Sequence, residues 1–307
     1  MQKEFVTIQL DLDKVSLLKE HYSPYKVLND GEYVDAMYKK DDIVITVYSG
    51  KKEKKKVTFI GNDALNEALL WDKEAQIKET KEKQKQAWEF FGSQIGSDEV
   101  GVGDFLAPMI VVASYVTEKD IKLLKELGVK DSKQLSDTRI REIGAELVKK
   151  IEYSKLTLSN DRYNELIAKE NINSLKAKMH NRALYNLVNK HPDVIGVYVD
   201  QFVPKEKYYE YLNANPDENI VRDISFMTKG ESLYPSVAVS SIIARYAFLL
   251  EMDKLNEKYE CKIPLGASKR VNDFAKDFIQ KHGIVEFNKI AKKNFANYKE
   301  VISVKLI

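Results

Sequence analysis

Cysteine is nearly absent: Cys261 is the single one in 307 residues. One thiol closes no intramolecular disulfide and builds no thiolate zinc site, and a reducing, cytoplasmic setting fits it. Glycine (13) and proline (7) are scarce, which excludes a collagenous or low-complexity chain. The four histidines, His21, His180, His191 and His282, never take a metal-pair spacing. The most apolar stretch, Phe105 to Val116, falls short of the roughly 20 residues of a membrane span, and Pro108 marks a turn before a buried strand. Met1 to Leu12 has no apolar core, so no signal peptide is expected. Neither sign of charge dominates: 49 Lys+Arg against 47 Asp+Glu leave a net +2. That balance neither demands nor forbids a nucleic-acid partner.

What is present is a globular composition, 44% hydrophobic and 31% charged, at a length that suggests two domains. Alternation predicts a strand from Glu4 to Leu10, with Asp13 capping a helix through Tyr22. A strand from Asp42 to Ser49 pairs with Val57 to Ile60 as a hairpin, and a helix runs from Asp63 to about Trp71. Residues 1–72 therefore read as a small α+β domain. Residues 73–91 are rich in Lys, Glu and Gln, with Glu74/Lys78 and Glu79/Lys83 at i,i+4 spacing, and predict a solvated connecting helix. Residues 92–307 mix strands (to Asp98, Met109 to Val116, Asp193 to Asp200) with helices (Thr138 to Lys150, Asn173 to Asn189, Pro235 to Tyr259). This is an α/β layered domain.

Several chemistries are unsupported. Gly101-Val102-Gly103 begins like a dinucleotide fingerprint, but Leu106 holds the third glycine position, and no phosphate loop or Gly-x-Ser-x-Gly elbow occurs. What remains is carboxylates at strand ends: Asp98-Glu99 before a glycine turn, Asp200 after Val197 and Val199, and Glu231 before a helix. Singly, a strand-end Asp is more often a turn residue, and Glu231 equally suits a helix N-terminus. Together they are the hard-oxygen ligands of Mg²⁺ or Mn²⁺, and two such cations would serve a phosphodiester displacement. Successive strand side chains point to opposite faces, so Asp98 and Glu99 share a site only if the strand breaks between or just after them.

Four segments in order carry a resemblance. Gly96-Ser97-Asp98-Glu99-Val100-Gly101-Val102-Gly103-Asp104 resembles the first signature of the type 2 ribonucleases H, and Val129-Lys130-Asp131-Ser132-Lys133-Gln134-Leu135-Ser136 their second. Tyr198-Val199-Asp200 matches the central Asp strand, and Lys229-Gly230-Glu231 through Ala244-Arg245 their last signature. Glu231 in place of the usual Asp, Phe248-Leu249 after the last signature, and an N-terminal extension make the sequence most similar to ribonuclease HIII. The resemblance implies a ribonuclease H-like mixed sheet flanked by helices, with an N-terminal domain resembling the TATA-binding protein fold. It implies an endonuclease that cuts the RNA strand of RNA/DNA hybrids with two Mg²⁺ or Mn²⁺ ions, leaving 5′-phosphate and 3′-hydroxyl ends. By motif match, Asp98, Glu99, Asp200 and Glu231 are its metal-binding catalytic carboxylates.

Substrate contacts are expected from Gly101, Val102 and Gly103, whose backbone would read the ribose, and from Ser132 and Lys133 at phosphates. Ser132 equally suits a helix cap. Lys51, Lys52, Lys54, Lys55 and Lys56 form a basic hairpin tip suited to a nucleic-acid backbone, although such runs are usually just solvated. A cytoplasmic monomer with no membrane and no obligate protein partner is expected. Two other functions stay open: a catalytically silent hybrid-binding protein, and incision at single embedded ribonucleotides as in ribonuclease HII.

Overall fold

The computed structural model describes residues 4–28, 34–49, 53–76, 88, 92–129, 135–214 and 219–303. The chain divides into two compact units, residues 1–85 and 86–307.

The first unit is a five-stranded antiparallel sheet with two helices. Its elements are β1 (Glu4–Asp11), α1 (Leu12–His21), β2 (Lys26–Val27), β3 (Val34–Lys40), β4 (Ile43–Tyr48), β5 (Lys54–Gly61) and α2 (Ala64–Leu69), with sheet order β1-β5-β4-β3-β2. Asp11, not Asp13, caps α1, its Oδ1 accepting from Lys14 N at 2.9 Å. Alternation sends Val6, Ile8, Ile45, Val57 and Phe59 into one core under the helices. The register Asp11↔Lys54 and Gln9↔Lys56 turns Lys54 and Lys56 to the other face. Lys55, opposite Leu10, turns to the helix side. A buried network closes the unit: Tyr22 Oη donates to Glu67 at 2.7 Å, Lys40 Nζ to both Glu67 oxygens, and Trp71 Nε1 to Tyr22 Oη at 3.0 Å. The expected connecting helix over 73–91 is corrected where it is described: Lys73 to Gln76 form a turn and extended chain, because Asp72 caps a local turn at Glu74 N. Residues 77–87 and 89–91 lie outside the described ones.

The second unit contains β6 (Gln94–Val100), β7 (Met109–Val116), α3 (Ile121–Leu127), α4 (Asp137–Lys150), β8 (Glu152–Leu158), α5 (Asn160–Ile167), α6 (Ile172–Val188), β9 (Gly196–Asp200), α7 (Lys205–Asn213), β10 (Ile224–Met227), α8 (Gly230–Leu233), α9 (Pro235–Tyr259), α10 (Lys269–Ile290, broken at Gly283) and α11 (Ala296–Ser303). The mixed sheet has order β10-β9-β6-β7-β8, with β6, β9 and β10 parallel and β7 and β8 antiparallel to their neighbours. Both faces are covered. Met109, Val111 and Ala113 join the core under α6 and α7, while Ile110 and Val112 join the core under α4, α9 and α10. That is why β7 opens with an apolar run from Met109 to Ala113 instead of alternating. The strand expected from Asp193 starts only at Gly196; Ile195 is exposed.

Helix α9 is long and apolar enough by composition to cross a bilayer, but most of it is buried against β6, β7 and α4. It is the central core helix. A Cβ at Gly96 would stand 2.5 Å from Val237 N, so glycine there lets β6 lie directly against α9. Ser240 Oγ then donates to Gly96 O at 2.7 Å. Core packing, rather than substrate approach, is the role of Ser240.

Candidate active site

Strand β6 sorts its side chains by parity. Gln94, Gly96 and Asp98 face α9, whereas Ile95, Ser97 and Glu99 face α6. Asp98 and Glu99 therefore leave the strand on opposite faces, and no break separates them. The break comes just after, at Gly101. Its φ is 85°, and a Cβ there would lie 2.1 Å from Pro108 O, so a side chain is excluded twice over.

Pairing between β6 and β9 ends at Ser97↔Val199. The next residues along, Asp98 and Asp200, are thus neighbours at the carboxyl ends of two parallel strands and on the same face. Ligands of open α/β sheets bind at such ends. Asp200 Oδ1 accepts from Gly230 N at 2.9 Å, which ties the turn carrying buried Glu231 to the same place. Burial raises the Asp98 carboxyl well above the usual range. The negative charges of Glu99 and Asp200 add to that, against a hydrogen bond from Ser241.

Glu99 has the opposite surroundings. Burial opposes its ionisation, but His180 and Lys176 outweigh burial and hold its carboxyl below the usual range. His180 Nε2 lies 2.9 Å from Glu99 Oε2, and Lys176 Nζ pairs with Oε1. With Nε2–H donating to the carboxylate, His180 Nδ1 accepts from Ser97 Oγ at 2.8 Å. Phe202 backs both partners: Lys176 Nζ stands 3.9 Å from its ring centroid and His180 stacks on it at 5.3 Å. Sequence reasoning missed this pair. The available signal was a Lys and a His four residues apart on the otherwise apolar face of Leu175, Met179, Ala183 and Leu184.

Among the described residues, no group of three or more His, Cys, Asp or Glu side chains is arranged to hold a metal ion, since Glu99 turns to Lys176 and His180. The donor set nevertheless suits a hard cation, because the carboxylate fields of Glu99 and Asp200 converge on Asp98. A cavity of about 290 Å³ opens beside Glu99 and Ser241. Its rim carries Arg245, which grips Asp137 through Nε and Nη2 at 3.0 and 3.1 Å. Val102 is half-exposed and Gly103 is exposed, and a Cβ at Gly103 would meet nothing within 4 Å. Of the two glycines in this turn, Gly101 is the one required sterically. Ser132 and Lys133 lie outside the described residues, as do Lys51 and Lys52. Phe248 and Leu249 are core residues. Tyr38 is also buried in its core, while Tyr48 underlies Lys56, whose Nζ is 4.8 Å from its ring.

A sequence model of the Ribonuclease HII family matches residues 95–298. Ribonuclease HIII of Bacillus mycoides is 39% identical, over 95% of this chain and 96% of that protein. Ribonuclease HIII of Bacillus cereus is 41% identical, over 85% and 86%. The crystal structure of Bst-RNase HIII in complex with Mn²⁺ superposes with a TM-score of 0.66 at 32% identity, covering 98% of each chain. The chain belongs to the type 2 ribonuclease H family, on its ribonuclease HIII branch.

Proposed function

We propose that this protein is an endonuclease that hydrolyses the RNA strand of RNA/DNA hybrids, leaving 5′-phosphate and 3′-hydroxyl ends. The observation that carries the reading is the β6/β9 register, which sets Asp98 beside Asp200 at parallel strand ends. The ribonuclease HIII relatives supply the substrate class.

Asp98, Glu99, Asp200 and Glu231 would hold two divalent cations, Mg²⁺ or Mn²⁺. Bound there, the cations activate water and stabilise charge on the scissile phosphate. The chain's own groups prepare the place. Lys176 and His180 keep Glu99 ionised despite its burial, and Ser241 orients Asp98. The Gly230 N–H fixes one oxygen of Asp200 and so aims the other. Backbone groups of the Gly101–Gly103 turn meet ribose 2′-hydroxyls, which distinguish RNA from DNA. Ser132 and Lys133 would meet phosphates.

The N-terminal unit, with a fold resembling the TATA-binding protein, would bind the hybrid. Lys54 and Lys56 support this, since both project from the face away from α1 and α2. The protein would work as a cytoplasmic monomer, and its single free Cys261 is consistent with a reducing compartment.

A labelled hybrid incubated with the protein in Mg²⁺ and in EDTA tests this reading. Cleavage in Mg²⁺ alone is expected. Binding without cutting in Mg²⁺ would make the protein a silent hybrid binder instead.

A further inference from the structure

Lys292 plays no part in that reading, yet it is 0% exposed. It follows α10, and its ammonium donates to the carbonyls of Gly101 and Asp104, the latter at 2.8 Å. Its backbone N–H donates to Phe105 O at 3.0 Å. The lysine therefore grips both ends of the turn that follows the Asp98-Glu99 strand. The grip is itself anchored. From α5, Asn160 Nδ2 donates to Ile290 O, Asn164 Nδ2 donates to Ala291 O at 2.9 Å, and Asn164 Oδ1 accepts from Lys293 N at 2.9 Å.

A buried ammonium is costly unless its protons are hydrogen-bonded, and a methionine would fill the same volume without that cost. Burial pulls the Lys292 pKa down to about 8, which leaves it a cation at neutral pH. Packing alone does not account for a charge there. The direction of its bonds does. In a trans peptide the C=O and the following N–H point opposite ways. Drawing Gly101 O inward turns the Val102 N–H outward, towards the open side where Gly103 is exposed. The same constraint at Asp104 turns the Phe105 N–H onto Gly266 O at 3.0 Å, which locks the far end of the turn.

We propose that Lys292 is a positioning residue for ribose recognition, setting the peptide orientation of the Gly101–Asp104 turn that presents the Val102 N–H to the RNA strand. This rests on the nuclease reading above. The ammonium also polarises the Gly101–Val102 peptide, which strengthens its N–H as a donor.

The test is steady-state cleavage, in Mg²⁺, of a DNA duplex carrying four consecutive ribonucleotides. It uses the full-length wild type, Lys292→Met, Lys292→Arg and Val301→Ala, a buried α11 change that calibrates general destabilisation. Misplacing a reacting group by about 1 Å costs up to about a hundredfold, so Lys292→Met should lower kcat about tenfold or more with KM within about twofold. Lys292→Arg, which keeps the charge and donors, should recover to within about threefold of wild type, and Val301→Ala should keep its kcat. If Lys292→Met melts below the assay temperature, Asn164→Ala, which releases the 291–293 anchor, should still lower kcat about threefold. Wild-type kcat in Lys292→Met, or in Asn164→Ala where that variant is read, overturns the inference alone. So does an equal loss in Val301→Ala. A wild type that cuts no hybrid sinks the nuclease reading and this inference with it.

Discussion

His180 Nε2 stands 2.9 Å from Glu99 Oε2, and the imidazole's other nitrogen is 2.8 Å from Ser97 Oγ, on the same face of the same strand. Strand parity makes this possible. Residues 97 and 99 both face α6, where Lys176 and His180 sit one helical turn apart. The acid that burial would neutralise is kept ionised by two partners fixed on one helix.

Removing one of those partners should be expensive. Lys176→Met leaves Glu99 buried with His180 as its remaining partner of the two, and losing one member of a buried pair costs about 3–5 kcal/mol. Because His180 remains, the lower figure, about 3 kcal/mol, is expected. Urea unfolding followed by far-UV circular dichroism measures it. A change under about 0.5 kcal/mol would show the pair to be no stronger than an exposed surface contact.

Acid should loosen the N-terminal unit through Glu67. Burial raises its pKa, but hydrogen bonds from Lys40 and Tyr22 outweigh burial, and the folded value is depressed. A depressed carboxyl stabilises the fold above its unfolded pKa, about 4.3, and loses that contribution as pH falls through the folded value. The stability gap between wild type and Glu67→Gln should be widest near neutrality and should narrow as pH falls below the unfolded value and through the depressed folded one. Trp71 fluorescence reports it in a Trp88→Phe background, since the chain has only two tryptophans. A gap independent of pH would remove Glu67 from the network's energetics.

Deleting residues 1–85, the first unit, should weaken hybrid affinity and flatten its dependence on salt. Every phosphate that the shortened protein leaves unneutralised reduces the slope of log K against log salt by about 0.7–0.9. Titrating both proteins with a hybrid at three salt concentrations decides it. Equal affinity and equal slope would leave Lys54 and Lys56 as solvated charge.

The ribose reading proposed for the Gly101–Gly103 backbone would sense several neighbouring sugars, and Val102 offers no polar side chain suited to an isolated one. Cutting should be efficient on a duplex with four consecutive ribonucleotides and poor on a duplex with one. Comparable rates in Mg²⁺ would move the activity towards single-ribonucleotide incision.

Much of this was legible in the sequence, for identifiable reasons. Met109–Ala113 and Pro235–Leu249 are largely apolar because both faces of β7 and of the first part of α9 are buried, and the limits of the two elements could be read directly. The half-exposed β8, with Lys155 and Glu152 among its residues, gave no such run and was missed. The four carboxylates stood out because three of them lie at strand ends and Glu231 opens a short helix, all inside recognisable segments. Lys176, His180 and Lys292 did not. A buried charge looks in sequence like any solvated one, and the groups that satisfy it come from residues far along the chain: 77 positions separate Glu99 from Lys176, and 191 separate Gly101 from Lys292.

The strand-end carboxylates are proposed to perform hybrid cleavage without shaping the fold, and the Asp200→Asn exchange separates those two roles. Asparagine keeps an Oδ1 to accept the Gly230 N–H, so the turn carrying Glu231 should hold and the melting temperature should not fall. Single-turnover cleavage of a hybrid in Mg²⁺, measured beside hybrid affinity in the same buffer, is the experiment. Cleavage should be lost with affinity within about twofold of wild type, because removing a ligand charge takes away chemistry and leaves shape. Near-normal turnover by Asp200→Asn would contradict the assignment of these carboxylates as the catalytic centre.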